Sequence, residues 1–116
     1  MAERVAVLVR HVAEITADSA FSRCIPALIE GARHDERLRE FHHRYSAHRR
    51  QSLTDLIAEG VSSGELAVGT DPELAARAIL GAVFYGRLMS PDPFDPSRAE
   101  DLVRAVLRPR DAADTD

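Results

Sequence analysis

Residues 60–74 read Gly60-Val61-Ser62-Ser63-Gly64-Glu65-Leu66-Ala67-Val68-Gly69-Thr70-Asp71-Pro72-Glu73-Leu74, and this stretch decides the fold. Its first half ends a long amphipathic helix at glycine. Its second half starts a new helix: Thr70 and Glu73 have capping-box spacing, and Pro72 suits a first turn. The helix that follows spans roughly residues 72 to 89. From Leu74 onward only Arg77 and Arg87 interrupt Ala75, Ala76, Ala78, Ile79, Leu80, Gly81, Ala82, Val83, Phe84, Tyr85, Gly86, Leu88 and Met89. A surface helix needs one apolar stripe, whereas a helix apolar on every side must be covered on every side. A chain of 116 residues has few other helices to do this, so a second copy is the expected cover.

The flanking segments carry the same helical period. Upstream, a third helix of about 25 residues, near 38 Å long, runs from Asp35 to Gly60 as the spine. Its expected inward stripe is Leu38, Phe41, Tyr45, His48, Ser52 or Leu53, Leu56 and Ile57. Helix two runs from Ala20 to Ala32, with Phe21, Cys24, Ile25, Leu28 and Ile29 inward and Pro26 expected to kink it or mark its first turn. Helix one runs from Glu3 to Thr16 and turns Val5, Leu8, Val9, Val12 and Ile15 to one side. Downstream, Pro91, Pro93 and Pro96 make residues 90–96 a loop. Helix five then starts at Pro96, with Ser97 and Glu100 in capping-box spacing. It buries Ala99, Leu102, Val103, Val106 and Leu107 before Pro109 stops it. Residues 110–116 read as a polar, frayed tail. The expectation is one all-α domain over residues 1–116: a bundle of about five helices, the last two forming a dimeric four-helix interface.

Composition narrows the function classes. Apolar residues make up 45% and aromatics 5%, with no Trp, so the core is aliphatic and alanine-rich, which suits close helix packing. The net charge is −4, so no global field draws the chain to nucleic acid. Every basic residue is Arg. Most alternate with acids, as in Arg33, Asp35, Glu36, Arg37, Arg39 and Glu40, the pattern of a solvated face. Only the stretch from His43-Arg44 to His48-Arg49-Arg50 is locally basic. The single cysteine, Cys24, excludes an internal disulfide and fits a reducing, cytoplasmic setting. The run Val5-Ala6-Val7-Leu8-Val9 is too short to span a bilayer, and no membrane partner is expected.

The order and spacing of several segments resemble the C-terminal effector-binding and dimerisation domain of TetR/AcrR-type transcriptional regulators. The matching pattern begins with Arg23…Ile25-Pro26-Ala27-Leu28-Ile29-Glu30, then Asp35…Leu38…Phe41, then Arg49-Arg50…Leu53. It continues with Gly60…Gly64-Glu65-Leu66 and Asp71-Pro72-Glu73-Leu74-Ala75-Ala76…Leu80-Gly81…Tyr85-Gly86-Arg87-Leu88. The resemblance implies a homodimer through the last two helices and a small apolar or aromatic molecule bound among the others. It also implies DNA contact only through an N-terminal helix-turn-helix. The roughly twenty residues before Phe21 leave no room for such a head, so the expectation is a domain without it in this chain.

The expected ligand-binding residues are Phe21, Cys24, Leu28, Phe41, Tyr45, His48 and Phe84, inward positions on helices two to four. A polar His48 on an apolar stripe must find a hydrogen bond, either to a ligand or to its own chain. Cys24 beside Arg23 allows a reactive thiol, against the plainer reading of an inert buried one. The expected interface residues are Ala78, Gly81, Ala82, Tyr85, Leu102, Val103 and Val106. Ala78, Ala82 and Gly86 form a small-residue ridge that suits close helix approach, within one subunit or between two. Glu36, Glu40 and His43 share a helix face but are flanked by arginines, so no metal site is expected. Ser52, Ser62, Ser63 and Ser90 lie in no nucleophile elbow, and no phosphate loop or cofactor motif occurs. The leading function is therefore a homodimeric effector sensor, not an enzyme and without cofactor. The alternative is a stand-alone helical dimer acting as an interaction protein. The acidic chain by itself should give no sequence-selective, salt-sensitive shift of duplex DNA at physiological ionic strength, which an electrophoretic mobility titration checks.

Overall fold

In a computed structural model of the chain, helices α1 (Ala2–Ala17), α2 (Ser19–His34), α3 (Glu36–Ser62) and α4 (Pro72–Leu88) lead through a 3-10 turn (Pro96–Arg98) into α5 (Ala99–Val106). The structure describes residues 2–17 and 19–111, without the side chains of 2, 16, 17, 19–23 and 87. The all-α bundle is the fold that the periodicity implies. The sole β feature among the described residues is an isolated bridge between Leu66 and Pro109. There the Ala67 amide donates to Arg108 O and the Arg110 amide to Glu65 O, both at 3.0 Å. Arg110 is thus tied to the α3–α4 loop rather than frayed; residues 112–116 lie outside the described part.

Short acids set the helix starts. Asp35 accepts from the amides of Arg37 and Leu38 at 2.9 and 3.4 Å, satisfying donors that the first turn of α3 leaves open. At α4 the cap is Asp71, accepting from the Leu74 amide at 3.1 Å. The box expected from Thr70 does not form: Thr70 sits one residue too early, and its amide donates to Ala67 O instead. Glu73 pairs with Arg77 at 3.2 Å. The Ser97–Glu100 box is replaced in the same way. Asp95 accepts from the Ser97 amide at 2.9 Å and caps the 3-10 turn, while Glu100 pairs with Arg104. Past the end of α3, Gly64 takes φ +83°, the left-handed conformation that glycine adopts without strain. The chain reverses there, and the amides of Glu65 and Leu66 return to Gly60 O at 3.0 and 3.1 Å.

The core lies at one end of a body 50 × 29 × 18 Å. Val5, Val9 and Ala13 of α1 are wholly buried against Leu53 and Ile57 of α3, Ala76, Ile79 and Val83 of α4, and Ala99, Val103 and Leu107 at α5. The N-terminal half of α3 leaves this core and has α2 beside it. The expected stripe therefore fails there: Leu38, Phe41 and Tyr45 are exposed, Phe41 by 52%, and His48 is exposed too. Only Leu53, Ile57 and Gly60 of α3 are buried. Helix α4 is likewise not covered on every side. Ala75, Ala76, Ile79 and Val83 are buried, whereas Leu74, Ala78, Gly81, Tyr85, Leu88 and Met89 face outward.

Gly86 decides how the chain leaves α4. A Cβ there would lie 2.9 Å from Phe94 N and 3.1 Å from Asp92 O, both backbone atoms. The end of the small-residue ridge is therefore filled by the chain's own loop, which carries Phe94 onto the core and α5 back across α1. At Gly81 a Cβ meets nothing within 4 Å. Chemical denaturation should separate these two glycines. Gly86→Ala is expected to destabilise by about 1–3 kcal/mol through overpacking. Gly81→Ala is expected to stabilise by up to about 1 kcal/mol through helix propensity.

Candidate functional site

Where the packed end gives way to the α2 end, a groove of about 400 Å³ opens among four helices. Val12 and Ile15 of α1 and Ile25, Leu28 and Ile29 of α2 make one apolar side. Leu80, Gly81, Phe84 and Leu88 of α4, with Arg77, make the other. Helix α3 supplies a polar wall: His42, Tyr45, Ser46, Arg49 and Arg50. These five positions follow i, i+3, i+4, i+7 and i+8, a single helix face, and the same row continues into buried Leu53, Ile57 and Gly60. One helix thus contributes core at one end and a wet wall at the other. Concave space lined mainly by apolar side chains with a few convergent polar groups is the usual form of a small-molecule site.

Three of the seven expected ligand-binding residues meet in this groove: Leu28, Tyr45 and Phe84. Three others do not line it. Cys24 is exposed, because α2 turns Ile25 rather than Cys24 into the protein. Phe41 lies outside, its ring stacked on Tyr45 with centroids 6.1 Å apart. His48 is exposed to solvent, and its carbonyl accepts from Ser52 Oγ at 3.4 Å. The side chain of Phe21 lies outside the described residues. The misplacement of Phe41 and His48 has one cause. Hydrophobic periodicity favoured a face about one residue away from the true one, because the true face is polar. Extending the apolar row Gly60–Ile57–Leu53 backward in steps of three and four would have reached Arg49 or Arg50, Ser46 and His42.

The polar wall is organised. Arg49 donates from Nη2 and Nε to Tyr45 Oη at 2.9 and 3.2 Å, and its guanidinium carbon lies 5.4 Å from the Tyr45 ring centre. This bidentate hold fixes both side chains at the groove. A neighbouring hollow of about 440 Å³ is lined by Ile29, Ala32, Arg33, Arg39, His42 and His43. Its Arg39 is already committed, donating to the carbonyls of Ala32 and Arg33 at 3.1 and 3.5 Å and so closing the C-terminus of α2.

The expected interface residues divide as well. Ala78, Gly81 and Tyr85 are exposed on α4, Tyr85 by 61%; Ala82, Leu102 and Val106 are half-buried. Val103 is wholly buried in its own chain, on the face of α5 that packs on α1 and α4, so it has no surface to offer a partner. Leu74, Leu88 and Met89, absent from the expected set, extend the open row on α4.

No curated protein and no solved structure matches the chain. The family of Tetracyclin repressor-like C-terminal domains matches residues 1–106, from the first helix to the end of α5, and by that match the chain belongs to this family, the C-terminal domains of TetR-type regulators.

Proposed function

We propose that this domain senses a small lipophilic molecule in the four-helix groove and pairs with a second copy through α4 and α5. The observation that carries the sensing reading is the groove itself: about 400 Å³, with apolar walls from α1, α2 and α4, the last broken by Arg77, and a polar wall on α3. Apolar burial would supply affinity and the Tyr45–Arg49 pair would supply orientation. The pairing reading is supported by the outward row Leu74, Ala78, Gly81, Tyr85, Leu88 and Met89, which the chain itself leaves uncovered. Small residues at 78 and 81 allow close approach, and the half-buried Leu102 and Val106 add apolar surface on α5. In a regulator, occupancy of the groove would bias the arrangement of the paired domains and, through it, any DNA-reading heads attached to them.

The two parts of the reading are tested separately. Ala78 belongs to the outward row and not to the groove, so Ala78→Arg should leave the fold and the groove intact. Sedimentation is expected to show a dimer for the unaltered chain, burying at least about 1,000 Å² in total, and a monomer for Ala78→Arg. A monomeric unaltered chain at tens of micromolar would end the pairing reading. For the groove, a lipophilic compound present at about 100 times its Kd should stabilise the domain by about 2.7 kcal/mol in thermal unfolding. Leu28→Trp, which fills the groove from α2, should abolish that gain. Equal stabilisation of the Leu28→Trp protein would place the compound elsewhere and count against the groove.

A further inference from the structure

Arg49 and Arg50 are half-buried on the α3 wall of the groove. Five other arginines find carboxylates: Arg4 with Glu59, Arg33 with Glu30, Arg77 with Glu73, Arg98 with Asp101 and Arg104 with Glu100, all on well-exposed side chains. Arg49 and Arg50 are the reverse case. Arg49 spends Nε and Nη2 on a neutral phenol oxygen. Among the described residues no carboxylate pairs with Arg49 or Arg50, and none lines the groove. In a chain of net charge −4, the ionisable groups of this one concavity are Arg49, Arg50, Arg77, His42 and Tyr45. A guanidinium stays protonated at any pH the fold survives, and partial burial strips water from it without supplying a counter-charge. Its planar fork fits a carboxylate in two parallel hydrogen bonds.

From this arrangement we propose that the ligand of the groove is an amphipathic organic acid. Its aliphatic or aromatic body lies against Ile25, Leu28, Leu80 and Phe84, and its carboxylate is held by Arg50 with the remaining edge of Arg49. This rests on the groove being the ligand site. Tyr45 acts as a positioning residue that aims Arg49. Arg77, which lines the groove from α4, is already paired with Glu73, so it contributes little to holding the acid.

The test uses head-group series on common bodies: decanoate, decanol and decylamine, and 2-naphthoate, 2-naphthol and 2-naphthylmethylamine. Each is titrated calorimetrically into the full chain at neutral pH. The expected result is that, on at least one body, the acid binds about tenfold or more tighter than its neutral analogue, the increment of one charge-assisted contact. The amine should be the weakest of the three. Arg50→Met keeps the apolar stem and should erase the preference for the acid over its neutral analogue. If Arg50→Met fails to fold, Arg50→Gln is read in its place. Arg37→Met, on the exposed face of α3, should change nothing. Equal binding of acid and neutral analogue, preference for the amine, or an acid preference that survives loss of the Arg50 charge would overturn the inference while leaving the groove as an apolar ligand site. Absence of saturable binding by every compound of both series would remove the sensor reading along with it.

Discussion

Val5, Val9 and Ala13 lie along one face of α1 and lose all contact with solvent. Helix α1 packs on every other helix and on the 3-10 turn. Its apolar face joins the Leu53–Ile57 end of α3, the Ile79–Val83 face of α4 and the Val103–Leu107 face at α5 into one cluster. Full burial of a valine is worth about 1.5–3 kcal/mol by area transfer, so Val5 and Val9 alone rival a sizeable part of a small domain's net stability. The exposed ion pairs that decorate the helices, such as Arg4–Glu59, contribute little by comparison. The groove depends on the same helix. The last turns of α1 bring Val12 and Ile15 to its apolar side, so whatever holds Val5 and Val9 in place also fixes one wall of the candidate site.

Helix α4 is apolar all round because it serves three surfaces at once. One face, Ala75, Ala76, Ile79 and Val83, belongs to the core. A second, Leu80, Phe84 and their neighbours, belongs to the groove. The third, Leu74, Ala78, Tyr85 and Met89, is open. Gly81 and Leu88 stand on the boundary, lining the groove and exposed with the outer row. A rigid helix cannot move one face and keep another still. Any occupant that displaces α4 at the groove therefore displaces the outer row with it; where that changes the affinity for a partner on the outer row, the partner changes the occupant's affinity by the same factor. At Gly86 the helix end is tied to the loop that follows, since the backbone of residues 92–94 rests against it.

Element number, order and approximate bounds were legible in the sequence because α1, α2 and α5 each carry a strong single-sided apolar period. The caps stand one or two residues from where the capping-box spacing puts them, for a local reason. Thr70 and Asp71 are both good caps, as are Asp95 and Ser97, and only backbone geometry selects the acid in each pair. The groove was half legible. Leu28 and Phe84 follow from apolar period, and Tyr45 lies on both the assumed and the actual face of α3. Arg49 and Arg50 were visible as the one basic stretch of an acidic chain, yet charge periodicity carries no sign of inside or outside. A solvated face and a polar pocket wall look the same in sequence. They separate only when α4 is seen lying across from them.

That separation also explains why this wall tolerates arginine where a core would not. Full burial of an unpaired guanidinium would cost several kcal/mol, and a fully exposed one would exert little field through water. Half-burial at the mouth of an apolar groove lies between these limits. The long apolar stems of Arg49 and Arg50 can cover part of the groove while their heads keep some water. Tyr45 holds one head in place through a neutral oxygen, which orients the charge without cancelling it. A carboxylate from the protein in that position would have neutralised the wall. Tyrosine leaves its positive field intact, facing the cavity between α2 and α4.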